Sequence, residues 1–166
     1  VIEYDGSLKP AYSYLQRSFA PIKLSLKYDR LNISPGEEFN ADVWVLKDEQ
    51  VVFDGEEKAR VVVRDSSGVN LYEWVFIIND LSEFGGKIGS IKCRLPELEN
   101  KVFFVQLELK YQDAILRDVY LFGQDEAHAL SGLRTLKAAE LVVKNIEIYE
   151  NEGSIVLDVL NKGDVV

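Results

Sequence analysis

The sequence lacks methionine entirely and contains one cysteine and one histidine among its 166 residues. With Cys93 alone, no disulfide can form within the chain, so a fold held together by cystine bridges is excluded. No second Cys or His stands at the spacing of a metal site. No apolar run approaches the roughly 20 residues of a membrane-spanning helix. The fold must therefore depend on a disulfide-free apolar core.

Basic residues are also scarce, with 19 Lys and Arg against 28 Asp and Glu and a net charge of −9. Nucleic acids and anionic membranes attract proteins with clustered Lys and Arg. We therefore expect neither nucleic acid nor a membrane as a partner. A single cysteine says nothing firm about the redox compartment, so no localisation is predicted.

The beginning of the chain predicts one short helix. Because no methionine is present and Val1 already opens an apolar run, we expect the chain to be a fragment of a longer protein. Pro10 stands where a first helical residue belongs, apolar residues at helical spacing follow, and Pro21 ends the pattern. A helix of about ten residues is marginal alone. We therefore expect Leu15 and Phe19 to rest on the sandwich or on another copy of the chain.

From Ile22 onward the apolar residues recur with a period of two, which is the pattern of half-buried strands. Turns rich in Gly, Pro, Asn, Asp and Ser separate the runs, and no helical pattern lies between them. We predict an all-β fold, an antiparallel immunoglobulin-like β-sandwich. The seven predicted strands cover residues 22–28, 39–45, 59–64, 69–78, 87–95, 102–111 and 115–122.

The core of this sandwich is predicted from the alternation. Each large apolar side chain contributes roughly 1.5–3 kcal/mol when fully buried. Both faces of the run 69–78 are apolar, so the pattern does not decide which of them points inward. The expected core residues are Phe39, Val43, Leu71, Val75, Ile77, Ile91, Phe103, Val105, Leu107, Leu109, Val119 and Leu121.

After residue 123 the alternation stops and a polar, small-residue stretch predicts an exposed linker. A second alternating pattern then predicts a hairpin, the start of a further sandwich that the chain does not complete. Two strands alone are marginally stable, and we expect their unpaired edges to favour self-association. The predicted divisions are 1–21 (the end of an upstream domain), 22–123 (sandwich), 124–140 (linker) and 141–166 (hairpin).

Residues 1–22, VIEYDGSLKPAYSYLQRSFAPI, contain a motif at ten positions: Asp5, Gly6, Lys9, Ala11, Tyr12, Leu15, Arg17, Phe19, Ala20 and Pro21. This segment resembles the end of the catalytic (β/α)8 barrel in family 2 glycoside hydrolases, especially the β-mannosidase-like branch. In that family, immunoglobulin-like domains follow the barrel. The order of helix, sandwich, linker and further strand in this chain is similar.

The resemblance implies a parent enzyme that hydrolyses terminal β-mannosides with retention and without a cofactor. It also implies that both catalytic glutamates precede this chain, so the chain itself is not an enzyme. Its partners would be the upstream barrel and the downstream sandwich of its own parent. An independent carbohydrate-binding or adhesion module is the alternative, as is the accessory domain of another family 2 exo-β-glycosidase.

The residues themselves predict no catalytic, cofactor or metal site. The pairs Glu37-Glu38 and Glu56-Glu57 are adjacent in sequence, so their side chains point to opposite faces of a strand. His128 lies in the polar linker without a positioned partner. Cys93 lies in an alternating strand and is expected to be buried and inert. The acidic residues of loop 48–57 gather oxygens without the spacing of a calcium loop.

One aromatic group is a candidate binding surface. Trp44, Tyr72, Trp74 and Phe76 alternate along strands that neighbour or face each other. Such rings stack on sugars when they are exposed, but aromatic side chains of a sandwich more often pack on the opposite sheet or on an adjoining domain. We therefore predict either a sugar-binding face or an interdomain face at these four residues.

Overall fold

The computed structural model describes residues 10–79, 81–112, 114–125, 130–136, 138, 140–149 and 154–162. Within these ranges, one α-helix, nine strands and a 3₁₀ helix (Ser131–Thr135) follow one another. Their bounds are α1 Pro10–Ser18, β1 Ile22–Lys27, β2 Glu38–Lys47, β3 Lys58–Asp65, β4 Asn70–Ile77, β5 Gly85–Arg94, β6 Val102–Tyr111, β7 Ala114–Gly123, β8 Leu141–Tyr149 and β9 Ser154–Asn161.

Strands β1 to β7 form two antiparallel sheets, which confirms the predicted all-β sandwich. The smaller sheet has the order β1-β2-β5, and the larger has the order β4-β3-β6-β7. In a constant-type immunoglobulin domain the fourth strand belongs to the sheet of the first two strands. Here β4 pairs with β3 instead. The sandwich is therefore a three-plus-four arrangement.

The core lies between these two sheets and follows from the alternation of each strand. Phe39, Phe103 and Phe122 are fully buried. Their ring centroids lie 4.8–5.5 Å apart, in one stacked and two edge-to-face contacts. Offset and edge-to-face rings gain energy beyond the burial of their area. This aromatic cluster joins β2 of one sheet to β6 and β7 of the other.

Strand β7 buries the opposite face from the one that we predicted. Val119 is 58 % exposed and Leu121 is only partly buried, whereas Phe122 is 0 % exposed and Tyr120 packs against the core. Both faces of β7 are apolar, so a period of two could not choose between them. The aromatic face is buried because it removes more apolar area from water.

In strand β4, two residues that we predicted to be buried are also exposed. Val75 and Ile77 are 55 % and 54 % exposed, so their predicted place in the core is wrong. Trp74 and Phe76 pack against the core instead, as does Leu71. A register irregularity between Val63 of β3 and the following residue accompanies this pairing.

The predicted exposed linker begins with a buried residue. Gln124 is 5 % exposed. Its backbone N–H donates to the Lys101 carbonyl at 2.7 Å, its side-chain oxygen accepts from Leu98 N–H at 2.8 Å, and its amide nitrogen donates to the Pro96 carbonyl at 2.7 Å. Gln124 thus fixes the turn between β5 and β6. His128 lies outside the described residues.

Helix α1 has the predicted start, but Phe19 is not covered by the sandwich, the first of its two expected partners. The second expected partner, another copy of the chain, stays a prediction. Phe19, just after the helix, is 84 % exposed, so it does not rest on the sandwich of its own chain, and Leu15 is 42 % exposed. A groove of about 280 Å³ separates Arg17 and Ala20 from β7. None of the helices in the described ranges has the length and hydropathy to cross a membrane.

Strands β8 and β9 form the predicted hairpin, which is antiparallel from Leu141↔Asn161 to Tyr149↔Ser154. A bulge between Val143 and Asn145 shifts the alternation of β8 by one residue. Leu141 and Val143 before the bulge therefore lie on the same face as Ile146 and Ile148 after it. Seven apolar side chains lie on this face, and each is 49–65 % exposed. They are Leu141, Val143, Ile146, Ile148, Ile155, Leu157 and Val159.

Candidate functional site

Three of the four predicted aromatic residues lie together on β4. Tyr72 pairs with Val63 of β3, Trp74 with Val61, and Phe76 with Ala59. Each of these β3 partners is fully buried. Because paired residues share a face of the sheet, the three aromatic side chains point toward the opposite sheet.

Contacts with β5 hold this aromatic group in place. The Tyr72 and Trp74 rings stack with centroids 5.9 Å apart and an interplanar angle of 23°. The Tyr72 hydroxyl donates to the Arg94 carbonyl at 2.7 Å. The Phe76 ring lies against Gly89, where a Cβ would be only 2.3 Å from Cε1. The group therefore closes the open side of the sandwich between β4 and β5.

Trp44 lies elsewhere. It pairs with Ser25 of β1 and Lys87 of β5, between the fully buried Val43 and Val45, so its ring is on the outer face of the smaller sheet. Its indole Nε1 is buried and has no hydrogen-bond partner within the described part of the chain. Trp44 thus does not share a face with the β4 aromatics.

The exposed part of the aromatic group is small. Tyr72 is 36 % exposed, and Trp74 and Phe76 are partly buried against the core. Stacking of a sugar ring would be confined to Tyr72 and the rim of Trp74, because the face of a ring must be free for such a contact. The sugar-binding or interdomain role of these residues stays a prediction.

The adjacent glutamates Glu37 and Glu38 have separate partners. Glu37 accepts from the Arg30 guanidinium and from the Ser34 backbone N–H, and these contacts lower its carboxyl pKa. Lys92 Nζ lies 2.9 Å from Glu38 and lowers the pKa of that carboxyl. Both groups are thus held ionised by surface cations. They do not form a joint acid and base pair.

The acidic loop between β2 and β3 is organised by its own backbone. Glu57 accepts from the N–H groups of Asp54 and Gly55, at 3.1 and 3.2 Å, and Asp54 accepts from Glu56 N–H at 2.9 Å. The described ranges contain no group of three or more His, Cys, Asp and Glu side chains that could hold a metal ion. These carboxylates therefore shape a turn.

A cleft beside this loop was not foreseen from the sequence. It encloses about 570 Å³ and is lined by residues of the β2–β3 loop together with Ile78, Asn79 and Leu81. Lys47 Nζ, also in the lining, donates to the Val51 carbonyl at 2.9 Å. The only hint in the sequence was Gly55, whose φ of +88° lets the loop turn.

Cys93 is 6 % exposed, and burial raises the pKa of its thiol to about 11. A thiol with so high a pKa carries little thiolate at neutral pH, and the thiolate is the reactive form. The structure thus confirms that Cys93 is buried, and its chemistry is that of a core residue.

The outer face of the smaller sheet is basic, although the chain as a whole is acidic. It carries five cations against two carboxylates: Lys23, Lys27, Lys87, Lys92 and Arg94 against Glu38 and Asp42. Lys87 pairs with Asp42 at 2.7 Å. In the sequence, this basic face is indicated by Lys23 and Lys27, which alternate with the apolar residues of β1.

No protein-family model and no curated protein matches the chain. Among solved structures, two of a β-glucuronidase from Parabacteroides merdae are 14 % and 15 % identical, with TM-scores of 0.44 and 0.41. They cover 62 % and 63 % of this chain and 14 % and 13 % of their own.

A β-glucuronidase from Bifidobacterium dentium, in complex with coumarin-3-O-glucuronide, is 14 % identical, with a TM-score of 0.38. It covers 81 % of this chain and 19 % of its own, so the chain spans less than a fifth of each of these enzymes. A likeness at this level of identity concerns the fold alone.

Proposed function

We propose that this chain is a non-catalytic accessory region of a glycoside hydrolase of the β-mannosidase-like kind. The observation that carries the proposal is the resemblance of residues 1–22 to the end of a family 2 barrel, followed within a few residues by a sandwich. Asp5, Gly6 and Lys9 of this motif lie outside the described residues. The other matched positions lie on α1 or immediately after it.

The exposure of α1 supports a docking role. Tyr14 is 71 % exposed, Leu15 42 % and Phe19 84 %. A helix of nine residues gains most of its stability from packing an apolar face on a partner. The barrel of the parent enzyme is the partner that the resemblance implies, and the sandwich would then buttress it.

The carboxylates of the described residues support a non-catalytic role. A retaining glycosidase needs two carboxyl groups about 5–5.5 Å apart across a sugar-binding cleft. Glu37 and Glu38 bind different cations, and Asp54 and Glu57 bind backbone N–H groups. The reaction, hydrolysis of terminal β-mannosides, would belong to the upstream barrel.

The first experiment assays this chain and the full-length product of its gene on nitrophenyl β-mannoside and β-glucuronide. We expect no hydrolysis by the chain alone and β-mannoside hydrolysis by the full-length protein. Turnover by the chain, abolished by replacing one of its carboxylates, would overturn the non-catalytic role. A full-length protein that hydrolyses only the β-glucuronide would make the specificity wrong. One without any glycosidase activity would overturn the whole proposal.

The docking role is tested in the same full-length protein. Leu15→Glu combined with Phe19→Glu should lower the thermal midpoint and the activity, because charges would enter the contact between the helix and the barrel. Phe84→Glu is the control, since Phe84 is 66 % exposed in the β4–β5 connection. If the double variant is as stable and active as this control, the helix does not dock on the barrel.

An independent carbohydrate-binding module is the second candidate, and the stacked, partly exposed Tyr72–Trp74 pair favours it. Affinity electrophoresis of the chain through gels containing mannan tests this function. Retardation that Tyr72→Ala removes and Val75→Ala retains would support it, because Val75 lies on the other face of β4. An unchanged mobility in mannan would exclude mannan binding.

A further inference from the structure

The cleft between the β2–β3 loop and the segment that follows β4 is a concave surface that the accessory role does not use. It encloses about 570 Å³, which lies within the roughly 300–1,000 Å³ of small-molecule sites. Ile78, in its lining, lies roughly 20 Å along the chain of β4 from Tyr72. This surface, called the β2–β3 cleft below, is therefore separate from the aromatic group of Tyr72 and Trp74.

Contacts with β6 and with the end of β4 hold the loop wall of the cleft in place. The Tyr111 hydroxyl donates to the Val52 carbonyl at 3.3 Å, and the Tyr111 ring meets Phe53 edge-to-face with centroids 5.5 Å apart. The Ile78 N–H donates to the Glu57 carbonyl at 3.0 Å. Small-molecule sites are usually largely preformed. The β2–β3 cleft thus has a defined shape without a ligand.

Part of the lining is apolar. Ile78 is 0 % exposed, and Val51, Phe53 and Leu81 are partly buried against the core. Phe53 is the aromatic ring of the lining. A ligand of the cleft therefore needs an apolar face that can rest on these side chains.

The polar groups of the lining offer both donors and acceptors. Lys47 Nζ uses one of its three N–H groups on a loop carbonyl, at 2.9 Å. Asp54 uses one carboxylate oxygen on the Glu56 N–H, also at 2.9 Å. Within the ranges that the structure describes, no hydrogen bond or ion pair engages the side chains of Glu49 and Asn79. An ammonium, two carboxylates and an amide can therefore reach a ligand.

The signs of these charges favour a neutral ligand. An anionic ligand would approach Glu49 and Asp54, and a cationic ligand would approach Lys47, so each would meet a like charge. Hydroxyl groups carry no charge, and each of them both donates and accepts. A pyranose ring combines several hydroxyl groups with an apolar C–H face. Its chemistry thus matches the polar and the apolar parts of the lining together.

We propose that the β2–β3 cleft binds a neutral pyranose unit of a glycan. Its hydroxyl groups would bind Glu49, Asn79 and Lys47, and its C–H face would rest on Phe53. This inference does not depend on the proposed function, because an accessory region of an enzyme and an independent module could both use such a site. It also places sugar binding away from Tyr72 and Trp74.

The experiment is an NMR titration of the whole, isotope-labelled chain with methyl β-mannoside and methyl β-glucoside, which are both neutral. Ligands of about a dozen heavy atoms bind weakly, so we expect a dissociation constant of about 1 mM for at least one of them. The amide shifts should centre on Phe53 and Ile78. Cationic glucosamine and anionic glucuronate should bind at least about fivefold more weakly than the neutral glycoside.

Two matched variants test the site itself. Glu49→Ala removes a carboxylate from the lining, and Glu56→Ala removes one from the same loop outside the lining. Glu49→Ala should weaken binding about tenfold, because a hydrogen bond to a charged group is lost. Glu56→Ala should have little effect. Asn79→Ala, at another exposed lining residue, should also weaken binding, and an unchanged thermal midpoint of each variant shows that the sandwich is intact.

Equal binding by the Glu49→Ala and Glu56→Ala chains would overturn the proposal. Shifts centred on Tyr72 and Trp74 would also overturn it, because sugar would then bind at the aromatic group. So would an absence of shifts at glycoside concentrations about tenfold above the expected dissociation constant. Tighter binding of free alanine than of either glycoside would make the ligand a zwitterion, which contradicts a neutral sugar. None of these outcomes decides whether the full-length protein hydrolyses β-mannosides.

Discussion

The sandwich and the hairpin have the same kind of sequence pattern and opposite degrees of burial. Phe39, Val43 and Val105 in the sandwich lie at alternate, inward-facing positions of their strands and are 0 % exposed. Ile146, Ile148 and Leu157 in the hairpin also lie at alternate positions, with one bulge in β8, and are 50–65 % exposed. The strands pair in both regions, but only the sandwich has a second sheet that covers its apolar face.

The comparison shows that an alternating pattern leads to strand pairing and to burial of the apolar face for different reasons. Pairing of β8 with β9 needs only two neighbouring strands and a turn, so the local sequence is sufficient to specify it. Burial needs a facing layer, which the local sequence cannot provide. Because an isolated hairpin is at best marginally stable in water, the hairpin should lose its structure more easily than the sandwich.

The largest effect should come from the aromatic cluster of the sandwich. Phe122 is fully buried and contacts Tyr28, Phe39 and Phe103. Phe122→Ala should lower the free energy of unfolding by about 3–5 kcal/mol, because it leaves a cavity that the ring filled. Ile148→Ala, at a site that is 65 % exposed, should change it by less than about 0.5 kcal/mol.

Urea unfolding followed by tryptophan fluorescence measures both variants, since both tryptophans lie in the sandwich. A loss for Ile148→Ala as large as that for Phe122→Ala would contradict the comparison. It would mean that the hairpin and the sandwich unfold as one unit.

The next effect concerns the reaction rate of the Cys93 thiol. Burial raises the Cys93 thiol pKa from 9.0 to about 11, which reduces the thiolate fraction about a hundredfold near neutral pH. Cys93 should therefore react with a thiol reagent at least about 100-fold more slowly than a cysteine placed at Val156 in a Cys93→Ala chain. Val156 lies in the hairpin and is 49 % exposed.

The reaction rates of the two thiols, measured in buffer and in urea, check this prediction. In urea both cysteines should react at the rate of a free thiol. Rapid labelling of Cys93 in buffer would show that β5 opens without global unfolding.

A smaller effect is expected where the candidate aromatic site crosses β5. A Cβ at Gly89 would lie 2.3 Å from the Phe76 ring, so Gly89→Ala must displace that ring. We expect a loss of about 1–3 kcal/mol in unfolding free energy. Gly86 is the matched control in the same strand, because its Cβ would make an ordinary 3.4 Å contact with Leu81.

Gly86→Ala should be neutral or slightly stabilising, by up to about 1 kcal/mol, because alanine restricts the unfolded chain. Urea unfolding again provides the measurement. Equal stability of the two variants would mean that Phe76 swings outward without loss, and that the aromatic group does not close the sandwich.

The strands of the sandwich were predictable because their alternation is regular and their turns are marked. β6 was predicted at its observed bounds, 102–111, and the other strands within a few residues. The inward faces of β4 and β7 were not predictable. Both faces of these strands are apolar, and the choice depends on partners that are distant in the sequence, such as Phe103 for Phe122 and Gly89 for Phe76.

The candidate site was predicted in part for the same reason. Tyr72, Trp74 and Phe76 share one strand, so a period of two placed them together. Trp44 required the pairing of β2 with β1 and β5, which puts it on the outer face of the other sheet. The buried Gln124 was missed because a polar residue after a strand predicts a linker, whereas here three hydrogen bonds satisfy it.

The smallest effects should separate the two regions by pH. In the sandwich, the ion pair with Lys87 and a hydrogen bond from Ser90 lower the Asp42 carboxyl pKa below its usual 3.8. Asp42 therefore contributes stability above about pH 4, and that contribution is lost as pH falls through the lowered pKa. Asp42→Asn should be less stable than the native chain at neutral pH and equally stable at strongly acidic pH.

In the hairpin the corresponding loss lies at the alkaline end. The hydroxyl of Tyr149 donates to Glu147, which raises the Tyr149 pKa above its usual 10.0. Its contribution is present below pH 10 and is lost as pH rises through the raised value. The hairpin of Tyr149→Phe should therefore be less stable than the native hairpin at neutral pH and equally stable at strongly alkaline pH.

Urea unfolding across the pH range compares the native chain with Asp42→Asn. For Tyr149→Phe, the amide hydrogen-exchange rates of the hairpin are compared with those of the native chain. A Lys87→Ala background controls the first pair, because Asp42→Asn should have no further pH-dependent effect there. Losses at the same end of the pH range for both variants would contradict the assignment of these two contacts.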